Sequence, residues 1–212
     1  MGKGRPAAIS SGGASRRTGA AALAAALCLA GCAGGGGGGP QRIGGRVPSG
    51  YQPISQAVAG GSSFRIAVPG GWRAAEPQLA AGGWFTRALA AADVISRGLG
   101  QIASSNGSVM ATWNVTPKVT IDQLIANTRQ QTAQQHLGHY QRHERTAAVP
   151  GAASVRLVTE TFTNPYGPGH SATIWVRTKT GAIIGVYAVA PAPPRGTVDP
   201  SAVVESFQLL GR

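Results

Sequence analysis

Residues 147–162 read AAVPGAASVRLVTETF, from Ala147 to Phe162. Pro150-Gly151 breaks the stretch in its middle. Proline presets φ and glycine accepts positive φ, so the pair predicts a tight turn. The flanking runs, Tyr140–Val149 and Ala153–Thr163, read as strands. Two more runs follow, Ser171–Lys179 and Ala182–Ala190, linked by NPYGPG at Asn164–Gly169 and by Thr180-Gly181. They are rich in β-branched and aromatic residues. Strands joined by such short connections pair antiparallel. Upstream, Ser63–Val68 alternates with Phe64, Ile66 and Val68 on one face, and Pro69-Gly70-Gly71 turns the chain before Trp72. Trp84–Leu89 reads as another strand. Ala88–Leu99 is alanine-rich and reads as helical, which leaves 73–105 without a settled assignment. After the turn at Asn106-Gly107, Ser108–Val115 puts Val109, Ala111, Trp113 and Val115 on one face. Thr120 with Gln123 forms the sequence of a capping box, opening a helix that carries Ile121, Leu124 and Ile125 and predicts a cap at Gly138. Asp199-Pro200 opens a last helix with Ala202, Val203, Phe207 and Leu210 on one side. This order predicts an α+β fold: an antiparallel β-sheet of about six strands covered by helices.

The other end of the chain has a different logic. Residues 1–19 carry Lys3, Arg5, Arg16 and Arg17 and no acid, and Ala20–Ala30 is an apolar run. The run is shorter than the roughly 20 residues that span a bilayer. Basic, then short apolar, then small residues is the layout of an export signal. Leu29-Ala30-Gly31-Cys32 resembles the lipobox of bacterial lipoproteins. The resemblance implies cleavage before Cys32, a diacylglyceryl and palmitate-type anchor on its sulfur, and a bacterial cell membrane location facing the extracytoplasmic side. Two acyl chains hold a protein stably where one does not. Ser15-Arg16-Arg17 is also similar to a twin-arginine signal, although Thr18-Gly19-Ala20 lacks the large apolar residues of that route. The glycines Gly34–Gly39 resist ordering. The organisation predicted is a lipoprotein signal peptide at 1–31, a flexible tether at 32–57 and a folded domain at 58–212.

The motifs FRIAVPGGW, IDQLIANTRQQTAQQ, AAVPGAASVRLVTETF, IIGVYAVAP and VVESFQLL together resemble the PsbP-like family, which includes bacterial envelope lipoproteins of the LpqN type. The shared features are Phe64-x-Ile66 leading to Pro69-x-Gly71-Trp72, a strand from Gly151 to Leu157 with Arg156-Leu157, and a late helix ending Ser206-Phe207. They cover most of 60–210 and concern core and turns. The resemblance implies a PsbP-like α+β fold and a non-enzymatic binding or assembly role.

Formal charge is +12; four of the nineteen cations precede Cys32 and all seven acids follow it, leaving +8 afterwards. Lys118 and Lys179 are the only lysines in that part. The charges are scattered and lack the basic stripe with interleaved aromatics that nucleic-acid binding requires, so no nucleic-acid partner is expected. Attraction to anionic lipid headgroups or an anionic wall polymer is. With Cys28 in the signal and Cys32 as the anchor, the domain holds no disulfide and no cysteine metal site.

Chemistry-bearing patterns are sparse. His136, His139 and His143 are candidate metal ligands if one helix continues through all three, but Gly138 interrupts it. Gly98-Leu99-Gly100-Gln101-Ile102-Ala103 fits G-x-G-x-x-A without the βαβ context a dinucleotide needs. His170-Ser171 are adjacent, so a strand points them to opposite faces. Trp84-Phe85 after Gly82-Gly83, with Arg87, are the candidate ligand-binding residues, as a lid over an apolar groove. The sequence therefore predicts no cofactor and a non-enzymatic, lipid-anchored envelope protein that binds a protein partner or a hydrophobic or anionic envelope ligand. The alternative is an envelope hydrolase or metal-dependent enzyme.

Overall fold

The computed structural model describes residues 40–58, 61–91, 107–193, 196 and 198–211. The chain divides into two units, Met1–Gly37 and Gly38–Arg212, and every described residue lies in the second. The export segment, Cys32, the glycine run, the predicted helix beyond Ala91 and the G-x-G-x-x-A stretch lie outside the described residues.

The fold is α+β and dominated by antiparallel sheet. Its strands are β1 (Gln41–Arg42), β2 (Tyr51–Val58), β3 (Ser62–Pro69), β4 (Trp72–Ala74), β5 (Gln78–Ala80), β6 (Trp84–Ala91), β7 (Ser108–Asn114), β8 (Gly138–Ala148), β9 (Ala152–Asn164), β10 (Gly167–Thr178), β11 (Ile183–Pro191) and β12 (Gln208–Leu210). The helices are α1 (Ile121–Gln134) and α2 (Pro200–Glu205). Nine strands form one sheet in the order β1-β8-β9-β10-β11-β7-β6-β4, with β5 also on β6, and β12-β3-β2 form a second. Twelve described strands replace the expected six or so. The extra ones are short edge pieces, together with β2, that carry no clear apolar alternation.

One face of the large sheet packs against β3 and α2. Leu157, Ile174, Val186 and Trp113 meet Phe64, Ile66, Val203 and Phe207 in a continuous core. Phe64 stacks on Phe207 with centroids 5.6 Å apart and meets Trp113 edge-on at 6.2 Å. Such aromatic pairs add about 0.5–1.5 kcal/mol beyond the area they bury.

Three boundaries depart from expectation. The residues from Tyr51 to Ala57, read as tether, belong to β2, a strand paired along its whole length with β3. Its inward positions include Gln52 and Gln56, so it lacks an apolar stripe. Gln52 donates to the Trp72 carbonyl at 2.7 Å, and Gln56 accepts from Arg87 at 2.7 Å. Pro53 fits an edge strand, which needs no donor on its outer side. The final helix stops at Glu205 instead of running to Leu210. The Ser206 hydroxyl donates to the Val203 carbonyl at 2.6 Å and accepts from the Ala67 amide at 2.7 Å. Such side-chain bonds compete with helix propagation, and the chain then pairs with β3. The helix α1 ends at Gln134, capped by Gln135, and His136 takes the left-handed conformation (φ 49°) expected of glycine there. Gly138 starts β8. The capping box is present in both halves: Gln123 N–H donates to the Thr120 hydroxyl, and Thr120 N–H donates to the Gln123 side chain.

Candidate functional site

The opposite face of the large sheet is covered only in part, and the reason lies in α1. Its first turns bury Ile121 and Ile125 against Val158 and Ile183, with Leu124, Trp84 and Trp175 around them. One and two turns further on, the same stripe carries Thr128 and Thr132. Their hydroxyls donate back to the Leu124 and Thr128 carbonyls at 2.6 and 2.9 Å. Those hydroxyls are satisfied within the helix, but the side chains are too small to reach the sheet. A cleft of about 640 Å³ opens there, between the second half of α1 and the strands β7 to β11. That volume lies within the range of small-molecule sites, about 300–1,000 Å³.

The floor is flat because two aromatics lie across glycines. Trp175 pairs with Gly185, and Phe162 pairs with Gly169. A β-carbon on Gly185 would collide with the six-membered ring of Trp175, and one on Gly169 would fall 2.7 Å from Phe162 Cε2. Both rings line the cleft, together with Val158, Tyr187, Val189 and Met110. Met110 and Tyr166, at the rim, are 45% and 70% exposed.

One end of the floor is polar. Arg142, Glu160 and Ser171 are successive register partners on β8, β9 and β10. Glu160 Oε1 accepts from Arg142 Nη1 at 2.8 Å and from the Tyr140 hydroxyl at 2.7 Å, and its Oε2 accepts from Ser171 at 2.8 Å. Arg142 Nε also donates to Glu144 at 2.6 Å, and Arg129 reaches the same Glu144 oxygen at 2.8 Å. The Arg142 and Glu160 side chains are only 9% and 11% exposed. A bulge between Gly138 and Gln141, with His139 at φ 47°, precedes this row. Burial, and then the charge on Glu160, push the Tyr187 hydroxyl up to about 12, against an opposing bond from Ser171. Tyr140 is raised by burial and by its bond to Glu160. Glu144 is held below the usual carboxylate range, chiefly by its bond from Arg129. Near neutrality the cleft thus presents a protonated Tyr187 and an internally neutralised ion pair.

The structure places the sequence candidates elsewhere. Trp84 and Phe85 point to opposite sheet faces. Trp84 meets Trp175 edge-on at 6.4 Å, whereas Phe85 stacks on Trp113 in the main core at 5.7 Å. They do not form a shared lid. Arg87 is held by the Ala75 carbonyl and Gln56, both at 2.7 Å, on the core side. His136 lies beyond the end of α1, while His139 and His143 lie on β8. Among the described residues no three His, Cys, Asp or Glu side chains stand together as a metal site. Ser171 faces Glu160, and His170, its neighbour, faces the core side with Nε2 buried and without a partner. Sequence reading missed the Arg142–Glu160–Ser171 row. Its signal was three polar residues at facing positions of adjacent strands, which is visible only once the register is known.

No protein-family model matches the chain, and no curated protein does. Among solved structures the chain is similar to LpqN, involved in cell envelope biogenesis of Mycobacterium tuberculosis. Identity is 12%, coverage is 75% of this chain and 91% of that one, and the TM-score is 0.40. It is also similar to PA94 of Pseudomonas aeruginosa, a protein of unknown function, at 5% identity, 66% and 83% coverage and a TM-score of 0.32. Likenesses this slight carry no functional argument. Among the described residues no helix is long and apolar enough to cross a membrane.

Proposed function

We propose that this chain is a lipid-anchored, PsbP-like, non-enzymatic binding protein of the bacterial envelope, and that the cleft under α1 holds an amphiphilic small molecule. The observation that carries the reading is the cleft itself: an aromatic floor laid over Gly169 and Gly185, with one polar end. An apolar chain would lie along Phe162, Trp175 and Val189, and a polar head would meet Tyr187 and the Arg142–Glu160 row. The anchor reading rests on Leu29-Ala30-Gly31-Cys32. The non-enzymatic reading is supported by Ser171, whose hydroxyl is spent as a donor to the Glu160 carboxylate.

The test is a titration of the purified chain with a lipophilic fluorophore such as N-phenylnaphthylamine, read by energy transfer from Trp175. Saturable binding in unit stoichiometry is expected. Thr132→Trp, which fills the cleft from the helix side, should abolish it while far-UV circular dichroism stays unchanged. Binding that survives Thr132→Trp would place the probe elsewhere and end the proposal. Anchoring is tested separately: Cys32→Ser should leave the precursor unprocessed and absent from the detergent phase.

A further inference from the structure

We infer that one end of the large sheet is a membrane-contact surface for anionic phospholipid, independent of any occupant of the cleft. The registers put six strands at one level. Arg42 pairs with Ala148 on β8. Ala148 lies two residues past Thr146, and Ser154 lies two residues before its partner Arg156, so these two share the level. Ser154 pairs with Arg177, Arg177 with Ile183, and Ile183 with Asn114. Lys179 follows Arg177 in the β10–β11 turn, and Lys118 follows Asn114 in the loop before α1. Arg42, Lys118, Arg177 and Lys179 therefore lie along one end of the sheet, and the only two lysines after Cys32 are among them. Among the described residues none of the four is ion-paired. The acids near this end are already paired: Asp122 faces Arg156 at 3.4 Å, and Glu205, which shares a pocket with Arg42, is bonded by Arg145 at 3.0 Å.

Two features favour a bilayer over a soluble polyanion. Leu79 on β5 is 69% exposed and sits one register step from the same level, through Phe85 and Trp113. An apolar side chain beside cations adds insertion to attraction. Residues 1–39 join the described chain at Pro40, two residues before Arg42.

The test uses the unit Gly38–Arg212, which holds every described residue, so that neither an acyl group nor the basic and apolar segment before Cys32 contributes; it measures sedimentation with vesicles of phosphatidylcholine alone or mixed with phosphatidylglycerol. Binding is expected only to the mixed vesicles. Each charge near an anionic surface is worth about fivefold in partitioning. Lys179→Glu changes the charge by two units and should weaken binding on the order of 25-fold. Arg73→Glu makes the same change in net charge at the other end, where Arg73 pairs with Ala90. Six residues of β6 separate it from the Trp84 level, roughly 20 Å, beyond the Debye length. Arg73→Glu should therefore leave binding within about threefold. Equal losses from the two substitutions would mean that net charge alone acts, and would overturn the inference. So would a lack of binding to mixed vesicles, or Lys179-dependent binding of heparin without binding of vesicles.

Discussion

Removing either partner of the Arg142–Glu160 pair should destabilise the fold far more than removing both. The two charges sit 2.8 Å apart with side chains about nine-tenths buried. At an effective dielectric of about 20 their gross attraction is about 6 kcal/mol, most of which offsets the cost of taking both ions out of water. Glu160→Met leaves Arg142 buried with Glu144, which is 29% exposed, and a long bond of 3.5 Å to the Ile125 carbonyl. Arg142→Met leaves Glu160 with two hydroxyls. Each single change should cost about 3 kcal/mol, the lower end for a broken buried pair. The double Met variant strands no charge. It costs the lost acceptor of Ser171, and that of the half-buried Tyr140, which water can replace, about 1–2 kcal/mol in all. Urea denaturation of the four proteins gives ΔG from the midpoint and slope, and the cycle should return a coupling of about 4 kcal/mol. Coupling below about 1 kcal/mol would mean that the pair is solvated and would refute the burial argument. A second readout guards against simple misfolding. Glu160 raises Tyr187, so Glu160→Met should lower the alkaline titration of Tyr187 seen by phenolate absorbance.

Tyr187 itself sets a limit at high pH. Its folded value near 12 lies above the ordinary 10, so the unfolded chain loses the proton first. The stabilisation is complete below pH 10 and is lost as pH rises towards about 12. It amounts to about 2 kcal/mol, allowing for water in the cleft, and Tyr187→Phe should flatten that part of the stability–pH curve. Gly185→Ala should push the Trp175 ring off the floor, cost about 1–3 kcal/mol and shift the tryptophan emission; an unchanged spectrum with full stability would contradict the stacking. Phe207→Ala should cost about 3–5 kcal/mol, measured by the same urea midpoint. Thr120→Ala should cost about 1 kcal/mol through the lost cap.

The strands on either side of Pro150-Gly151 were legible because each alternates and each turn carries its own chemistry. The capping box at Thr120 and the Asp199-Pro200 start were legible for the same local reason, and both are present. Tyr51–Val58 was not, because its interior positions hold glutamines that serve Trp72 and Arg87, partners 20 and 31 residues away. Ser206 was likewise read as a helical residue because its two hydrogen bonds, one of them to Ala67, exist only in the folded chain.

The cleft was the least legible feature, although its cause is in the sequence. Thr128 and Thr132 on α1 read as a weakening of an amphipathic stripe, an imperfection in a helix otherwise anchored by Ile121 and Ile125. Gly169 reads as the end of the NPYGPG connection, and Gly185 as a break in a strand that is otherwise apolar. Each departure alone lowers the strength of an element. Together, brought face to face by the β9–β10–β11 register, they remove side-chain volume from both walls of one space, while Phe162 and Trp175 lie flat instead of filling it. The glycines are accounted for by the rings that lie across them; the two threonines, which leave the facing wall short beside a buried ion pair, are what the proposed binding site explains. Replacing Thr128 and Thr132 with leucine should therefore stabilise the domain by burying more apolar area, about 1–2 kcal/mol, while abolishing uptake of the fluorescent probe. A double variant that binds the probe as well as the original would show that the gap under α1 is only a packing defect.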